Sequence, residues 1–210
     1  MPRGPHRLFF DLWSLVYDAP GIQRLTYRPV QDAVVRALRG DPPARILDVG
    51  CGTGRLTARL ARELPRSRVA GCDFSRGMLH QARARDGALA LAQGDAGRLP
   101  FAAGSFDAVV STEAFHWFPD PDAALTGFRD VLAPRGRLLI AFVNPPVEAL
   151  SRASRTVSRW LGEPLRWPTP AALSRQVEAA GFAVLSQRRI FRLPAPFVFP
   201  AVLTDAVRRD

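Results

Sequence analysis

From residue 45 to residue 143, short apolar runs alternate with amphipathic helical patterns, and this alternation limits the fold more than any other feature of the chain. The runs have the length and composition of β-strands, and the intervening patterns have helical periodicity. Successive strands joined by helices lie parallel in one sheet, with helices on both faces. The pattern therefore predicts an α/β fold with a mostly parallel sheet. The predicted strands are Arg45–Val49, Arg68–Cys72, Ala88–Gln93, Phe106–Ser111 and Arg137–Val143, and the predicted helices are Thr53–Leu64, Ser75–Arg85 and Pro121–Leu132.

The C-terminal part of the chain departs from this alternation. After a predicted helix at Pro170–Ala180, two long strands are expected at Phe182–Leu193 and Val198–Arg208. Only residues 194–197 separate these strands, and such a connection is too short for a crossover helix. The two strands should therefore form an antiparallel hairpin.

At 210 residues the chain has the length of a single domain. Residues 1–40 have an aromatic, helical pattern that ends at a Gly-Asp-Pro-Pro break, and we expect a helical cap segment there. Residues 41–210 then form the main domain. Within it, the proline-rich residues 144–169 are predicted to be an insertion that covers the substrate.

The net charge of +10 suggests a nucleic-acid partner at first sight. All 29 basic residues are arginine, however, and they are scattered through every segment instead of forming one basic block. Abundant alanine, glycine and proline accompany them, as a GC-rich genome would impose on any protein. We therefore attribute the charge to composition and expect no specific nucleic-acid partner.

Neither a membrane span nor a secretory signal is predicted. No apolar run approaches the roughly 18 residues that a membrane helix needs, and no cleavage site follows the N-terminal apolar residues. The chain is therefore expected in the cytoplasm. Its two cysteines, Cys51 and Cys72, are too few for a disulfide framework and lack metal-site spacing, so no metal is predicted.

A glycine-rich turn, Gly50-Cys51-Gly52-Thr53-Gly54, connects the first predicted strand to the first predicted helix. Such a turn places a ligand at the carboxyl end of the strand, where backbone N–H groups are free. The spacing is one residue shorter than the G-x-G-x-x-G of dinucleotide sites, and Asp48 precedes it. A carboxylate at this place repels a phosphate but suits an ammonium group. The turn therefore argues against a nicotinamide oxidoreductase.

Two further acidic residues follow neighbouring predicted strands. Asp73 ends the second strand and can accept hydrogen bonds from both hydroxyls of a ribose. Asp95 follows the third strand and can accept a proton of the adenine amino group. Together with Asp48, these carboxylates indicate a nucleoside that carries an amino-acid arm. The ligand implied is S-adenosylmethionine.

These residues resemble the motifs of the class I S-adenosylmethionine-dependent methyltransferases, and the motifs follow one another in the order of that family. The resemblance implies a Rossmann-like seven-stranded sheet of order 3-2-1-4-5-7-6 in which strand 7 is antiparallel. That arrangement agrees with the hairpin expected at the C-terminal end. The matching segments are Leu47–Gly54, Asp73, Gly94–Phe101, Phe106–Ser111 and Asp130–Ile140.

The resemblance also implies a cofactor site. Asp48, Gly50 and Gly52 should surround the methionine arm, and Asp73 should hold the ribose. Asp95 and Ala96 should bracket the adenine. Phe74 and Leu99 are candidates to sandwich the adenine ring, with core packing as an equal alternative. The predicted cofactor-binding residues are Asp48, Gly50, Cys51, Gly52, Asp73, Phe74, Asp95, Ala96 and Ser111.

The segment after the fourth strand, Ser111–Phe118, should face the methyl group. His116 is the candidate general base there, because histidine titrates near neutral pH. A loop histidine that only packs or hydrogen-bonds is an equal alternative. Asn144-Pro145-Pro146 is similar to the Asn-Pro-Pro-aromatic motif of amino-directed methyltransferases, but that motif follows the fourth strand. Here the sequence follows the fifth strand and Val147 replaces the aromatic residue, so we interpret it as a turn and not as a base-binding motif. The predicted acceptor pocket is formed by Trp13, Tyr17, Tyr27, Glu113 and Trp117.

The methyl acceptor is expected to be a small, apolar or carrier-bound molecule. The aromatic N-terminal segment, with Tyr17-Asp18, resembles that of the quinone C-methyltransferases and their small-molecule relatives. A malonyl-carrier-protein O-methyltransferase of biotin synthesis remains an alternative of similar architecture. An RNA methyltransferase or an RNA-binding protein would explain the charge, but no RNA-binding module is visible.

Overall fold

The computed structural model describes residues 27–145, 148–152, 166–190 and 201–210. Of residues 1–40, where the sequence predicts a cap, only 27–40 are therefore described; Trp13 and Tyr17 lie outside the described residues, and the cap stays a prediction. The helices are α1 Arg28–Arg39, α2 Arg55–Glu63, α3 Arg76–Arg85, α4 Pro121–Val131 and α5 Pro170–Ala179. The strands are β1 Arg45–Val49, β2 Arg68–Asp73, β3 Ala90–Gln93, β4 Phe106–Thr112, β5 Leu132–Val143, β6 Phe182–Ile190 and β7 Ala201–Arg208.

The strands form one seven-stranded sheet in the order β3-β2-β1-β4-β5-β7-β6. The pairs from β3 to β5 are parallel, whereas β7 runs antiparallel to both β5 and β6. The predicted sheet order and the C-terminal hairpin are confirmed. Because the order reverses between β1 and β4, the carboxyl ends of these two strands form the crevice in which open α/β sheets bind ligands.

Alternate residues of the strands enter two hydrophobic clusters, one on each face of the sheet. On β5, Leu138, Ile140 and Phe142 pack with α4 and α5, while Leu139 and Ala141 pack with α1 and α2. Each helix therefore buries only one side against the sheet. Within the described ranges, no helix has the length and apolar character needed to cross a membrane.

Strand β5 begins earlier than predicted. The sequence predicts a helix up to Leu132 and a strand from Arg137, but in the structure the strand already begins at Leu132. Arg135 has a φ of 60°, and the pairing with β4 shifts register between Phe106 and Ala108. The residues Pro134-Arg135-Gly136 therefore form an irregularity inside the strand and do not separate it from the preceding helix.

The helix starts differ in how their first N–H groups are satisfied. Side chains of Ser75, Asp120 and Thr169 accept hydrogen bonds from the first turns of α3, α4 and α5. Helix α2 instead follows Gly54, which has a φ of 71° and provides no side-chain cap. The first N–H groups of α2 consequently lie at the glycine turn, where a bound ligand can accept hydrogen bonds from them.

Candidate functional site

The glycine turn, defined as residues 50–54, folds back over the end of β1. Gly50, Gly52 and Gly54 all have positive φ, at 73°, 54° and 71°. The N–H groups of Gly50 and Cys51 donate to the carbonyl of Cys72, at 2.8 and 3.2 Å. These bonds fix the turn to the neighbouring strand. The glycine spacing is therefore required by the backbone, because side chains are strained in this region.

Gly50 and Gly52 face different surroundings. A Cβ atom on Gly50 would lie 2.4 Å from Cβ of Ala114, so the segment after β4 presses directly on the turn. A Cβ on Gly52 would meet only Met78 Sδ, at 3.9 Å, among the described residues. As far as the described residues go, the side of the turn at Gly52 is therefore open, and a ligand can approach the backbone there.

The carboxylate of Asp73 lies against the open side of the turn. Its two oxygens accept from the N–H groups of Gly52, at 2.8 Å, and Ser75, at 2.9 Å. The residue is buried, with 6% of its surface exposed. Asp73 therefore joins the glycine turn to the start of α3.

Asp48 lies beneath the turn, on the face of β1 that is covered by α2. Its Oδ2 accepts a hydrogen bond of 2.7 Å from the hydroxyl of Thr57. Burial raises the pKa of the Asp48 carboxyl to about 7; the Thr57 hydrogen bond opposes this rise and the charge of Asp73 adds to it. Asp48 is therefore a buried acid whose ionisation a nearby ammonium group would favour.

The two cysteines lie on opposite faces of the sheet. The Sγ of Cys51 would be 2.9 Å from a Cβ on Gly71, whereas Cys72, the next residue along β2, packs in the cluster beneath α4 and α5. Burial raises the pKa of the Cys72 thiol to about 12 and raises that of Cys51 well above its usual value. Both thiols are therefore protonated near neutral pH and unsuited to nucleophilic chemistry.

A tight turn follows β3 and carries two of the predicted adenine contacts. Asp95 Oδ1 accepts from Gly97 N–H at 2.9 Å, and Arg98 N–H donates to the carbonyl of Asp95 at 2.9 Å. Helix α4 approaches so closely that a Cβ on Gly127 would lie 2.7 Å from the carbonyl oxygen of Ala96. Leu99 packs against the core, which supports its packing role. The structure thus holds the Asp95–Ala96 backbone rigidly at the same edge as Asp73.

The segment after β4 begins with a backbone irregularity. Glu113 has a φ of 52°, a conformation that few side chains adopt, and its N–H donates to the carbonyl of Ala141 at 2.8 Å. A short 3₁₀ helix, Phe115–Trp117, follows directly. The unusual conformation of Glu113 turns the chain across the carboxyl ends of β1 and β4, and such strain is often found at functional sites.

His116 is placed on this 3₁₀ helix with its ring against aromatic neighbours. Its centroid is 5.5 Å from that of Phe142, in a stacked arrangement, and 5.3 Å from that of Trp117. The residue is 8% exposed. The imidazole is therefore largely covered, and both predicted roles of His116, base and packing residue, remain compatible with this position.

Two buried side-chain oxygens at this end of the sheet have no hydrogen-bond partner among the described residues. They are Oγ of Ser111, in β4, and Oδ1 of Asn144, which follows β5. The amide nitrogen of Asn144 donates to the carbonyl of Pro168 at 2.8 Å. Asn144 thus braces the chain that leads into α5. This agrees with a structural role for the Asn-Pro-Pro sequence, although the brace itself was not foreseen.

The structure brings most of the predicted residues to one edge of the sheet. Tyr27 lies at the start of α1 and is partly buried, and Trp13 and Tyr17 lie outside the described residues. Sequence reasoning missed Arg166 and Trp167, which reach this region from the far end of the insertion. Arg166 N–H donates to the carbonyl of His116 at 2.9 Å. No local motif marks these residues, because their position depends on a contact distant in sequence.

Comparisons with known proteins agree with this geometry. Residues 47–140 match a family model described as a methyltransferase domain. The chain is 33% identical to a demethylmenaquinone methyltransferase of Corynebacterium kroppenstedtii, across 90% of each chain. It is 42% identical to a malonyl-[acyl-carrier protein] O-methyltransferase of Geobacter sulfurreducens, across 55% of this chain and 46% of that protein.

A solved structure resembles the whole chain. It is a chain from the complex between the Haloferax volcanii Trm112 methyltransferase activator and a methyltransferase, with a TM-score of 0.78, 26% identity and full coverage of both chains. The sheet order, the glycine turn and the sequence relatives all lead to one assignment. The chain belongs to the class I S-adenosylmethionine-dependent methyltransferases.

Proposed function

We propose that the protein transfers a methyl group from S-adenosylmethionine to a small, planar or carrier-bound acceptor held over the carboxyl ends of β4 and β5. One observation carries this proposal. The open glycine turn of β1 and the aromatic segment after β4 are in direct contact, at Gly50 and Ala114. A ligand on the turn therefore presents its reactive end to the aromatic segment, where an acceptor can meet it.

The residues at the turn fit the cofactor. Among the described residues, only Met78 approaches the space above Gly52, and Ser111 Oγ is a buried polar atom that lacks a partner there. The carboxylate of Asp73 lies at the same turn. When bound, S-adenosylmethionine supplies an electrophilic methyl group on a sulfonium. We assign the cofactor site to Asp48, Gly50, Cys51, Gly52, Asp73, Phe74, Asp95, Ala96 and Ser111.

Within that site, we assign the roles that the family resemblance implies. Gly50, Cys51 and Gly52 present backbone to the methionine arm, and Asp48 supports its ammonium group from beneath the turn. Asp73 accepts from the ribose hydroxyls. Asp95 and Ala96, on the rigid turn after β3, contact the adenine, with Phe74 beside the ring.

On the acceptor side, we assign the pocket to the segment after β4 and to the N-terminal cap. His116 takes the proton that the acceptor loses, and Glu113 and Trp117 line the same segment. Aromatic side chains around this point exclude water from the reacting groups. We assign Tyr27 to the N-terminal side of the pocket, and Trp13 and Tyr17, which lie outside the described residues, stay predicted members of it.

Among acceptors, we favour a quinol-type ring. Demethylmenaquinone methyltransferase is the name of the Corynebacterium relative, which this chain matches over most of its length. A carrier-bound malonyl group is the second candidate, because the Geobacter relative has higher identity over a shorter segment. An RNA acceptor is the third, and the net charge alone supports it.

Calorimetry and an activity screen test the proposal together. S-adenosylmethionine and S-adenosylhomocysteine should both bind, and NAD should not. With labelled S-adenosylmethionine, label should pass to a naphthoquinol in preference to malonyl-carrier thioesters, small aliphatic acids or bulk RNA. Binding of NAD without binding of S-adenosylmethionine would contradict the cofactor assignment, and labelling of RNA alone would contradict the acceptor class.

Binding to random RNA separates the third candidate further. Because the arginines are scattered, we expect weak binding that disappears as salt is raised. A sequence-specific RNA complex that persists at physiological salt would replace the small-molecule proposal.

A further inference from the structure

A cavity of about 250 Å³ lies beside the 3₁₀ helix, between that helix, the start of α4, the residues that precede α5, and α5 itself. Its volume is below the roughly 300–1,000 Å³ typical of sites for drug-sized ligands, so one or two fused rings would fill it. Its apolar walls are Phe115, Pro121, Trp167 and Pro168, and its polar groups include Arg166 and Gln176.

Hydrogen bonds hold the wall formed by residues 166–168 in place. Arg166 N–H donates to the carbonyl of His116 at 2.9 Å, and the Asn144 amide donates to the carbonyl of Pro168 at 2.8 Å. Thr169 then caps α5 by accepting from Ala172 N–H. The wall is therefore tied to both the 3₁₀ helix and the end of β5, and the cavity adjoins the proposed reacting position.

The guanidinium of Arg166 is a cation available to a ligand. The residue is exposed, and it forms no ion pair within the part of the chain that the structure describes. The acids of the neighbouring helix start are already engaged. Asp120 Oδ1 accepts from the first N–H groups of α4, and Asp122 Oδ1 accepts from Gln176 at 2.7 Å. Neither carboxylate neutralises Arg166.

We propose that this cavity binds a planar aromatic group that bears a carboxylate, with Arg166 pairing with the carboxylate. The flat apolar surfaces of Phe115, Trp167 and the two prolines suit a ring, and a guanidinium binds a carboxylate with directed hydrogen bonds. The inference rests on the proposed methyl transfer and deepens it, because among planar acceptors, quinol-type rings included, it selects those that carry a carboxylate.

The test uses 2-naphthoate and its neutral analogue 2-naphthamide as probes of the full-length protein, with affinity measured by calorimetry. The wild type should bind 2-naphthoate about tenfold more tightly than the amide, in line with a charge-assisted hydrogen bond. Arg166→Gln should remove this preference, and Arg166→Lys should keep part of it. Arg189→Gln, a change at an exposed arginine on β6, is the matched control and should leave the preference for 2-naphthoate over 2-naphthamide unchanged.

Other outcomes would overturn the inference. Equal affinity for the acid and the amide would show that the cavity does not recognise a carboxylate. An unchanged preference in Arg166→Gln would show that Arg166 is not the residue that binds it. If cyclohexanecarboxylate bound as tightly as 2-naphthoate, the cavity would not require an aromatic ring. If millimolar inorganic phosphate displaced 2-naphthoate, the cavity would be a phosphate site instead. S-adenosylhomocysteine affinity, measured on each variant, separates these failures from failure of the cofactor site or of folding.

Discussion

The ends of β1 and β4 both turn the chain through the left-handed backbone region, but with different residues. At the end of β1, Gly50, Gly52 and Gly54 have positive φ. At the end of β4, Glu113 has a φ of 52° while retaining its side chain. Glycine adopts this conformation freely, whereas a residue with a Cβ does so at a cost of about 1–2 kcal/mol.

The difference separates two ways of building a ligand site. Where a ligand must approach the backbone, side chains are removed and the sequence shows glycines. Where side chains must project over the ligand, the backbone turns without losing them and the conformation is strained. The β1 end should therefore determine cofactor affinity, and the β4 end should determine turnover.

The largest effect should come from His116, at the β4 end. If it is the base, His116→Ala should lower turnover about 10²–10⁴-fold, because the acceptor loses its proton acceptor. Cofactor affinity should hold. His116→Phe is the packing control, since a phenyl ring can still stack on Phe142 but cannot take a proton. Steady-state kinetics and calorimetry measure both quantities, and normal turnover in His116→Phe would make His116 a packing residue.

Gly50→Ala should be the most damaging change at the β1 end. It combines a strained φ with a Cβ placed 2.4 Å from Ala114 Cβ, so unfolding free energy should fall by roughly 2–5 kcal/mol. Gly40→Ala is the matched control, because Gly40 has a φ of −67° and no described residue lies within 4 Å of a Cβ there. Denaturant titration measures both. In the double variant with Ala114→Gly, the part of the unfolding free energy that is lost to the clash should return, while the part that is lost to backbone strain should not. If none of it returned, the predicted clash with Ala114 would be wrong.

Asp73→Ala should weaken S-adenosylmethionine binding by roughly 1–3 kcal/mol, because ribose hydroxyls lose their acceptor. The change also removes the support of Gly52 N–H, so stability must be followed in parallel. Asp107→Ala is the control: it breaks the ion pair with Arg45 and should alter stability without altering affinity. Calorimetry measures the affinity of each variant for S-adenosylmethionine, and an unchanged affinity in Asp73→Ala would place Asp73 outside the site.

Asp48 should make stability depend on pH. Its folded pKa of about 7 lies above the usual 3.8, so the folded protein keeps a proton that the unfolded chain releases. This stabilisation is complete below about pH 4 and is lost as pH rises through about 7, with a slope of up to about 1.4 kcal/mol per pH unit. Asp48→Asn cannot ionise and should lack this contribution. Denaturant midpoints from pH 4.5 to 8 test it, and parallel curves for variant and wild type would refute it.

The smallest effect concerns the strain at Glu113. Glu113→Gly should be more stable than Glu113→Ala by about 0.5–1 kcal/mol, because alanine keeps the strained Cβ and glycine does not. Both variants lose the carboxylate, so their difference isolates the backbone. Thermal and denaturant unfolding provide the measurement. Equal stability would show that the β4 end is unstrained and that the two strand ends do not differ in this respect.

Much of the β1 end could be predicted from sequence. The glycine spacing and Asp73 are local signals, and the structure brings them together as expected. The prediction for Asp48 was less complete, because its side chain lies beneath the turn and bonds Thr57 on α2. Strand alternation offers the signal that was overlooked: residue 48 shares a face of β1 with Ile46, which packs in the cluster under α1 and α2.

The β4 end was predicted less well for a physical reason. Its geometry involves the hydrogen bonds of Arg166 with His116 and of Asn144 with Pro168. These partners lie far apart in sequence, or at opposite ends of the insertion, and no periodicity connects them. The irregular start of β5 was missed likewise, since Arg135 adopts its turn conformation while the strand pairing continues on both sides.

The sequence by itself determined the α/β class, the C-terminal hairpin and the position of the glycine turn. Each of these depends on the local spacing of apolar residues, on loop length or on backbone freedom, which short segments carry alone. Only the tertiary structure decided that Ala114 presses on Gly50, that His116 stacks on Phe142, and that Arg166 faces a cavity beside them. Such contacts form when distant strands become neighbours, because burial of their apolar faces brings the strand ends to a common edge.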